Sequence, residues 1–150
     1  MANVSEILKV AQERGREQGL TYDGALLPQE AFELLQQSSN VTLVDVRTDA
    51  EISWVGYVPD SVHVEWITWP AMDPNPDFME TLKKRVSEEG LLLFLCRSGA
   101  RSHAAAAAAT AAGFPSCYNI LQGFEGDRDA EAHRNSVNGW RAAGLPWKQN

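Results

Sequence analysis

The segment "LLLFLCRSGARS", residues 91–102, decides how this chain is read. Leu91 to Leu95 are apolar without alternation, as a strand buried on both faces of a parallel sheet must be. The alanine-rich stretch that follows is a strong helix former, and it predicts a helix over Ala100 to Ala112 closed by Gly113 at the C′ position. Cys96 therefore stands at the carboxyl end of a central strand and just before a helix, where open α/β sheets place their sites. A cysteine after an apolar run is ordinarily a small buried hydrophobe. Here Arg97, Ser98, Gly99, Ala100, Arg101 and Ser102 surround it with charge, hydroxyls and a flexible turn, and that combination favours a reactive thiol.

Strands alternate with helices on either side of this segment. Val4, Ile7, Leu8 and Ala11 have the spacing of an amphipathic first helix, weakened at its end by Gly15 and Gly19. "LLPQEAFELLQQ" predicts a short strand, then a helix with Pro28 near its start and Ala31, Leu34 and Leu35 facing inward. Val41 to Val46 is a β-branched buried strand, and "SVHVEW" a second short one. "WITWPAMDPNPD", with its prolines, predicts loop. Phe78 to Val86 predicts a helix, "SCYNI" a strand, "LQGFEGD" a glycine-rich turn and "RDAEAHRNSVNG" a polar surface excursion. "WRAAGLPW" predicts a short closing helix. The alternation points to an α/β sandwich with a mostly parallel sheet, without internal repeat or linker.

The 150 residues fit one sizeable core, and 44% apolar with 22% charged residues is ordinary globular composition. No apolar run approaches the ~20 residues of a membrane span. "MANVSEILKVAQERGREQGL" lacks a basic start, a long apolar centre and a small-residue cleavage site, so no secretory signal is expected. The net charge of −7 argues against nucleic-acid binding and requires any anionic substrate to be attracted locally. Two cysteines, Cys96 and Cys117, are too few for a disulfide scaffold, and a reducing cytoplasm is the expected compartment.

The chemistry of the loop follows from its place. A helix N-terminus carries unsatisfied N–H groups and about half a positive charge. Arg97 and Arg101 add full charges, and both effects favour thiolate, the nucleophilic form. Gly99 lets the backbone curl, and Ser98 and Ser102 supply hydroxyl donors. Such a cradle can hold an anion, or an anionic group attached to the sulfur.

"CRSGARS" resembles the active-site loop of the rhodanese family, sulfurtransferases that carry sulfur as a cysteine persulfide. "LVDVRTDAEISWVGYVPDSVHV" is similar to the family's upstream motif, "NILQGFEG" to the strand and glycine turn after the active-site helix, and "NGWRAAGLPW" to a common family ending. The resemblance spans Leu26 to Trp147. It departs from the family pattern at Tyr57, where histidine is usual, and at Asp60 before Ser61, but not in the active loop. It implies a three-layer α/β sandwich with a central, mostly parallel five-stranded sheet and helices on both faces. Residues 24–150 would form that domain, and residues 1–23 a helical extension.

Cysteine phosphatases of related architecture place five residues between cysteine and arginine, whereas four separate Cys96 from Arg101 and Ser102 holds the phosphatase arginine position. The shorter ring suits a terminal sulfur better than a tetrahedral oxyanion. The expected activity is that of a thiosulfate sulfurtransferase: Cys96 takes sulfur from thiosulfate or a similar donor and passes it to cyanide, a thiol or a protein cysteine. Arg97 to Ser102 would bind the substrate and its persulfide, with no metal or organic cofactor and no nucleic-acid or membrane partner. A sulfur-relay module serving one protein partner is the alternative, and a phosphatase or arsenate-handling enzyme is opposed by the residue count.

Asp45 and Arg47 admit two readings. Asp45 orients Arg101 while Arg47 faces the donor, or the two form an ion pair fastening the upstream loop. His103 is expected to face solvent, and His63 to be a satisfied buried histidine. Cys117, away from arginines, is expected to be an inert core residue rather than a resolving thiol. Trp66 and Trp69 either wall the pocket mouth or pack on the core.

Overall fold

A computed structural model describes residues 3–150. The elements in chain order are α1 (Val4–Gln18), β1 (Gly24–Leu26), α2 (Pro28–Gln37), β2 (Val41–Asp45), α3 (Asp49–Trp54), β3 (Val62–His63), β4 (Ile67–Thr68), β5 (Asp73–Pro74), α4 (Phe78–Arg85), β6 (Leu91–Leu95), α5 (Ala100–Ala111) and β7 (Cys117–Ile120). Five strands form one sheet in the order β1-β7-β6-β2-β3, every neighbouring pair parallel. β6 thus lies at the centre, as its unbroken apolar run requires.

The side chains of β6 divide between two cores. Leu92 and Phe94 join Phe78 and Leu82 of α4 and Ala105, Ala106 and Ala109 of α5 on one face. Leu93 and Leu95 join Ile7 and Ala11 of α1 and Ala31 and Leu34 of α2 on the other. Helices therefore cover both faces of the sheet, which gives the three-layer sandwich. The alanine run has a packing reason: its small side chains bring α5 close to β6 and β7. α1 is tied in by Arg14, which forks onto Glu30 of α2 at 2.6 and 3.0 Å and bonds the Ala25 carbonyl at 3.0 Å.

Three local expectations need correction. The proline-rich stretch is not all loop, because Ile67–Thr68 and Asp73–Pro74 pair as a small antiparallel ribbon. The closing segment "WRAAGLPW" forms turns instead of a helix. Trp140 is fully buried, and its indole N–H donates to the Pro146 carbonyl at 2.8 Å, curling the chain back. Lys148 then exchanges two backbone hydrogen bonds with Tyr57. The sequence reading also omitted α3. Thr48 starts it with a capping box, its hydroxyl accepting from Glu51 N–H while the Glu51 carboxylate accepts from Thr48 N–H.

α1 lies so close to the sheet edge that a Cβ on Gly24 would fall 2.3 Å from the Ala11 carbonyl oxygen. Gly24→Ala is therefore expected to destabilise the fold by roughly 1–3 kcal/mol through overpacking, read from the urea midpoint with an unchanged slope.

Candidate active site

β6 ends at Leu95, and the chain turns through Cys96, Arg97 and Ser98 to Gly99, the N-cap of α5. Cys96 is 1% exposed. The Gly99 N–H donates to its sulfur at 3.1 Å, and the Ser102 hydroxyl lies 3.3 Å away. The loop keeps this shape because its outer carbonyls are held from behind. Phe124 N–H donates to the Cys96 carbonyl at 2.8 Å, and Glu125 N–H to the Arg97 carbonyl at 3.0 Å. Gly123 makes that approach possible: its φ is +69°, and a Cβ there would lie 2.5 Å from the Arg97 carbonyl.

Asn119, at the end of β7, was not singled out in the sequence. Its amide nitrogen donates to the Gly99 carbonyl at 3.2 Å, so its oxygen is the acceptor that takes the Ser102 hydroxyl proton at 2.6 Å. In this arrangement Ser102 meets the sulfur with a lone pair, and the hydroxyl must turn away from Asn119 to donate to a thiolate or persulfide. His103 is exposed, with Nδ1 2.6 Å from the Tyr22 hydroxyl.

The carboxylate that grips Arg101 is Glu51, not Asp45. Arg101 forks onto both Glu51 oxygens at 2.7 and 2.9 Å. Burial opposes both charges, but the pairing prevails. The Glu51 pKa falls to about 2, helped by Thr48, while the Arg101 pKa is raised, with smaller help from the charges of Cys96 and Asp45. Asp45 instead holds Arg47 in a fully buried pair at 2.6 Å. Arg47 also bonds the Gly56 carbonyl at 2.8 Å and stacks over the Phe124 ring at 4.3 Å. With no exposed surface, Arg47 cannot face a donor from solvent. This is the ion pair fastening the upstream loop.

A cleft of about 370 Å³ opens beside the loop, lined by Arg97 and Arg101 from it, Glu51 and Trp54 from α3, Trp69 and Met72 from the β4–β5 turn, and Glu125. Of the two tryptophans weighed for this mouth, only Trp69 lines it. Trp66 packs edge-on against Phe78 at 4.9 Å. Cys117 is wholly buried, and burial pushes its thiol pKa up to about 11. His63, half-buried, donates from Nε2 to the Arg47 carbonyl at 2.6 Å. Among the described residues no cluster of His, Cys, Asp or Glu has the geometry to hold a metal ion, and no helix is long and apolar enough to cross a membrane.

A family model described as rhodanese-like domain matches residues 27–130. An uncharacterized protein of Rickettsia conorii is 36% identical over 123 residues, covering 79% of this chain and 92% of its own. The crystal structure of Rv0390 from M. tuberculosis is similar with 44% identity and a TM-score of 0.80, over 86% of this chain and 99% of that one. A rhodanese-like domain protein from Staphylococcus aureus shares the fold at 20% identity and a TM-score of 0.57, over 84% and 97% of the two chains.

The Glu51–Arg101 pair predicts a pH signature. The Glu51 pKa is depressed from 4.5 to about 2, so its contribution is complete above pH 4.5 and disappears as pH falls through 2. Glu51→Gln is expected to lose roughly 1–2 kcal/mol at pH 7, less than a dry pair would because solvent reaches part of it. Urea unfolding checks this, and the gap between the two proteins should close toward pH 2.

Proposed function

The chain belongs to the rhodanese-like domain family, and from that premise we propose that it is a sulfurtransferase carrying sulfur as a persulfide on Cys96. The observation that carries this reading is the sulfur itself, held by the Gly99 N–H at 3.1 Å and faced by Ser102 at 3.3 Å. It sits in a loop with only Arg97, Ser98, Gly99 and Ala100 before Arg101. A ring this small suits one terminal sulfur and leaves little room for the oxygens of a phosphoryl group.

In the first step the Cys96 thiolate attacks the outer sulfur of thiosulfate or a similar donor. A Cys96–sulfur bond forms, the sulfur–sulfonate bond breaks, and sulfite leaves with the electron pair. In the second, cyanide or a thiolate attacks the outer persulfide sulfur, and the electron pair returns to Cys96. The Gly99 N–H, the orphan N–H groups of the first turn of α5 and a reoriented Ser102 hydroxyl stabilise the negative sulfur in both states. Arg97, exposed on the cleft, receives the donor's charge. Arg101, expected to share that task, is committed to Glu51 and acts by anchoring the loop to α3.

A second reading is a relay that hands sulfur to one protein partner with little small-molecule turnover. The exposed rim of Trp54 (73%), Trp69 (57%) and Met72 (42%) favours it.

Intact-mass measurement after thiosulfate treatment is expected to show one added sulfur atom on the native protein and none on Cys96→Ser. The variant should lose thiosulfate–cyanide activity by at least about 10³-fold. Full activity in Cys96→Ser would refute the mechanism. Hydrolysis of a phosphate ester with no sulfur gain would move the protein to the phosphatases, and sulfur loading without turnover would favour the relay.

A further inference from the structure

The cleft beside the Cys96 loop carries nearly balanced side-chain charge. Its charged residues are Arg97, Arg101, Glu51 and Glu125, two of each sign, on a chain whose net charge is −7. Arg101 already has both oxygens of Glu51. Of the two arginines of the cleft, Arg97 is the one with no hydrogen bond or ion pair to its guanidinium among the described residues. At the cleft wall, away from the N–H groups that surround the sulfur and share a donor's charge, this leaves one cation to pair one negative charge of the acceptor.

Apart from Thr48, the rest of the wall is apolar. Trp54 ends α3, and Trp69 and Met72 sit in the turn that the β4–β5 ribbon holds in place. All three are large apolar side chains left substantially in water. Gathered on one concavity, they form the kind of exposed apolar patch that marks a binding site. The volume of about 370 Å³ lies within the range of small-molecule sites and exceeds what a cyanide ion or a lone sulfur fills. A concavity of that size fits an organic side group better than the flat face of a protein.

Resting on the sulfurtransferase reading, we propose that the sulfur acceptor is an apolar-bodied organic thiol with at most one negative charge, its body against Trp54 and Trp69 and any anionic group on Arg97. Its thiol attacks the outer sulfur of the Cys96 persulfide anion. A sulfur–sulfur bond forms to the acceptor, the bond to Cys96 breaks, and Cys96 leaves as thiolate. The proton of the thiol passes to the transferred sulfur, and the product is an organic hydropersulfide. No net oxidation or reduction occurs.

The test has two arms. In the first, protein loaded with sulfur and checked by intact mass is mixed with benzyl mercaptan or with 2-mercaptoethanol, two aliphatic thiols differing chiefly in apolar body. The native protein should transfer to benzyl mercaptan about tenfold faster or more, the factor that a modest buried apolar area supplies. Trp54→Ala and Trp69→Ala should each reduce that ratio several-fold. Both side chains are exposed, so neither change opens a cavity in the core. In the second arm the unreactive thioether benzyl methyl sulfide is titrated into resting protein, with tryptophan fluorescence as readout. A saturable change is expected, weakened in Trp54→Ala. If the persulfide forms but both thiols react alike, as they would were the rim built for a protein partner, this inference alone fails. If the thioether saturates but no persulfide forms from any donor, the sulfur-transfer reading fails and the acceptor role with it.

Discussion

Two backbone hydrogen bonds hold the Cys96 loop in shape, from Phe124 N–H to the Cys96 carbonyl and from Glu125 N–H to the Arg97 carbonyl. They bind the peptide oxygens of Cys96 and Arg97. Without them those carbonyls would need other donors or water, and the loop would turn with them. With them in place, the chain can reach Gly99 with its N–H aimed at Cys96 Sγ and enter α5 directly. The glycine turn after β7 is thus a backing plate for the loop after β6. Parallel pairing of the two strands sets the distance between them, from Leu92 opposite Cys117 to Phe94 opposite Asn119. Asn119 belongs to the same construction, since the register that places it beside the loop lets its amide fasten Gly99 and Ser102 together.

Charge is divided between structure and site by burial. Asp45 and Arg47 are wholly enclosed, and the pair is kept because each has other partners: Asp45 accepts from the Arg47 backbone N–H, and Arg47 reaches Gly56 and the face of Phe124. Removing either member would leave an uncompensated buried charge. The Glu51–Arg101 pair lies nearer the surface and spans two elements, fixing α3 to the first turn of α5. It positions Trp54, three residues beyond Glu51 on the same short helix, relative to Cys96. One ion pair therefore links the wall of the cleft to the loop that carries Cys96.

What the sequence disclosed, and what it withheld, follows from range. The strand, loop and helix from Leu91 to Ala112 were legible because an unbroken apolar run, strong helix formers and the closing Gly113 agree within about twenty residues. α3 is too short to show a period, although Thr48 and Glu51 spell its capping box. The β4–β5 ribbon pairs two residues with two, one of them proline, below any pattern signal. The closing helix was expected from "WRAA", but Gly144 and Pro146 interrupt it and the burial of Trp140 prevails. The loop residues of the candidate site are contiguous and so were readable, whereas its supports come from other strands. Asp45 ends β2 and Glu51 follows in α3, and local pattern gives no reason to prefer either acid as partner of Arg101. Packing decides it: Asp45 sits at the strand end, where Arg47 folds back onto it two residues later, leaving Glu51 for Arg101.

On the proposed reading, an acidic protein handling anionic sulfur has to separate its local fields from its overall charge. Charges scattered over the surface are screened beyond roughly 8–10 Å at physiological ionic strength, so the net −7 acts weakly at the cleft. What acts there is close at hand, and the side-chain charges nearly cancel, Arg97 and Arg101 against Glu51 and Glu125. The remaining positive potential comes from peptide groups, the Gly99 N–H and the first turn of α5, and it is concentrated on one atom that water hardly reaches. On the proposed reading, stabilising the extra sulfur falls to the backbone and recognising the molecule that takes it falls to the aromatic rim. Changes at Trp54 or Trp69 would then alter which acceptor is served without altering how sulfur is held.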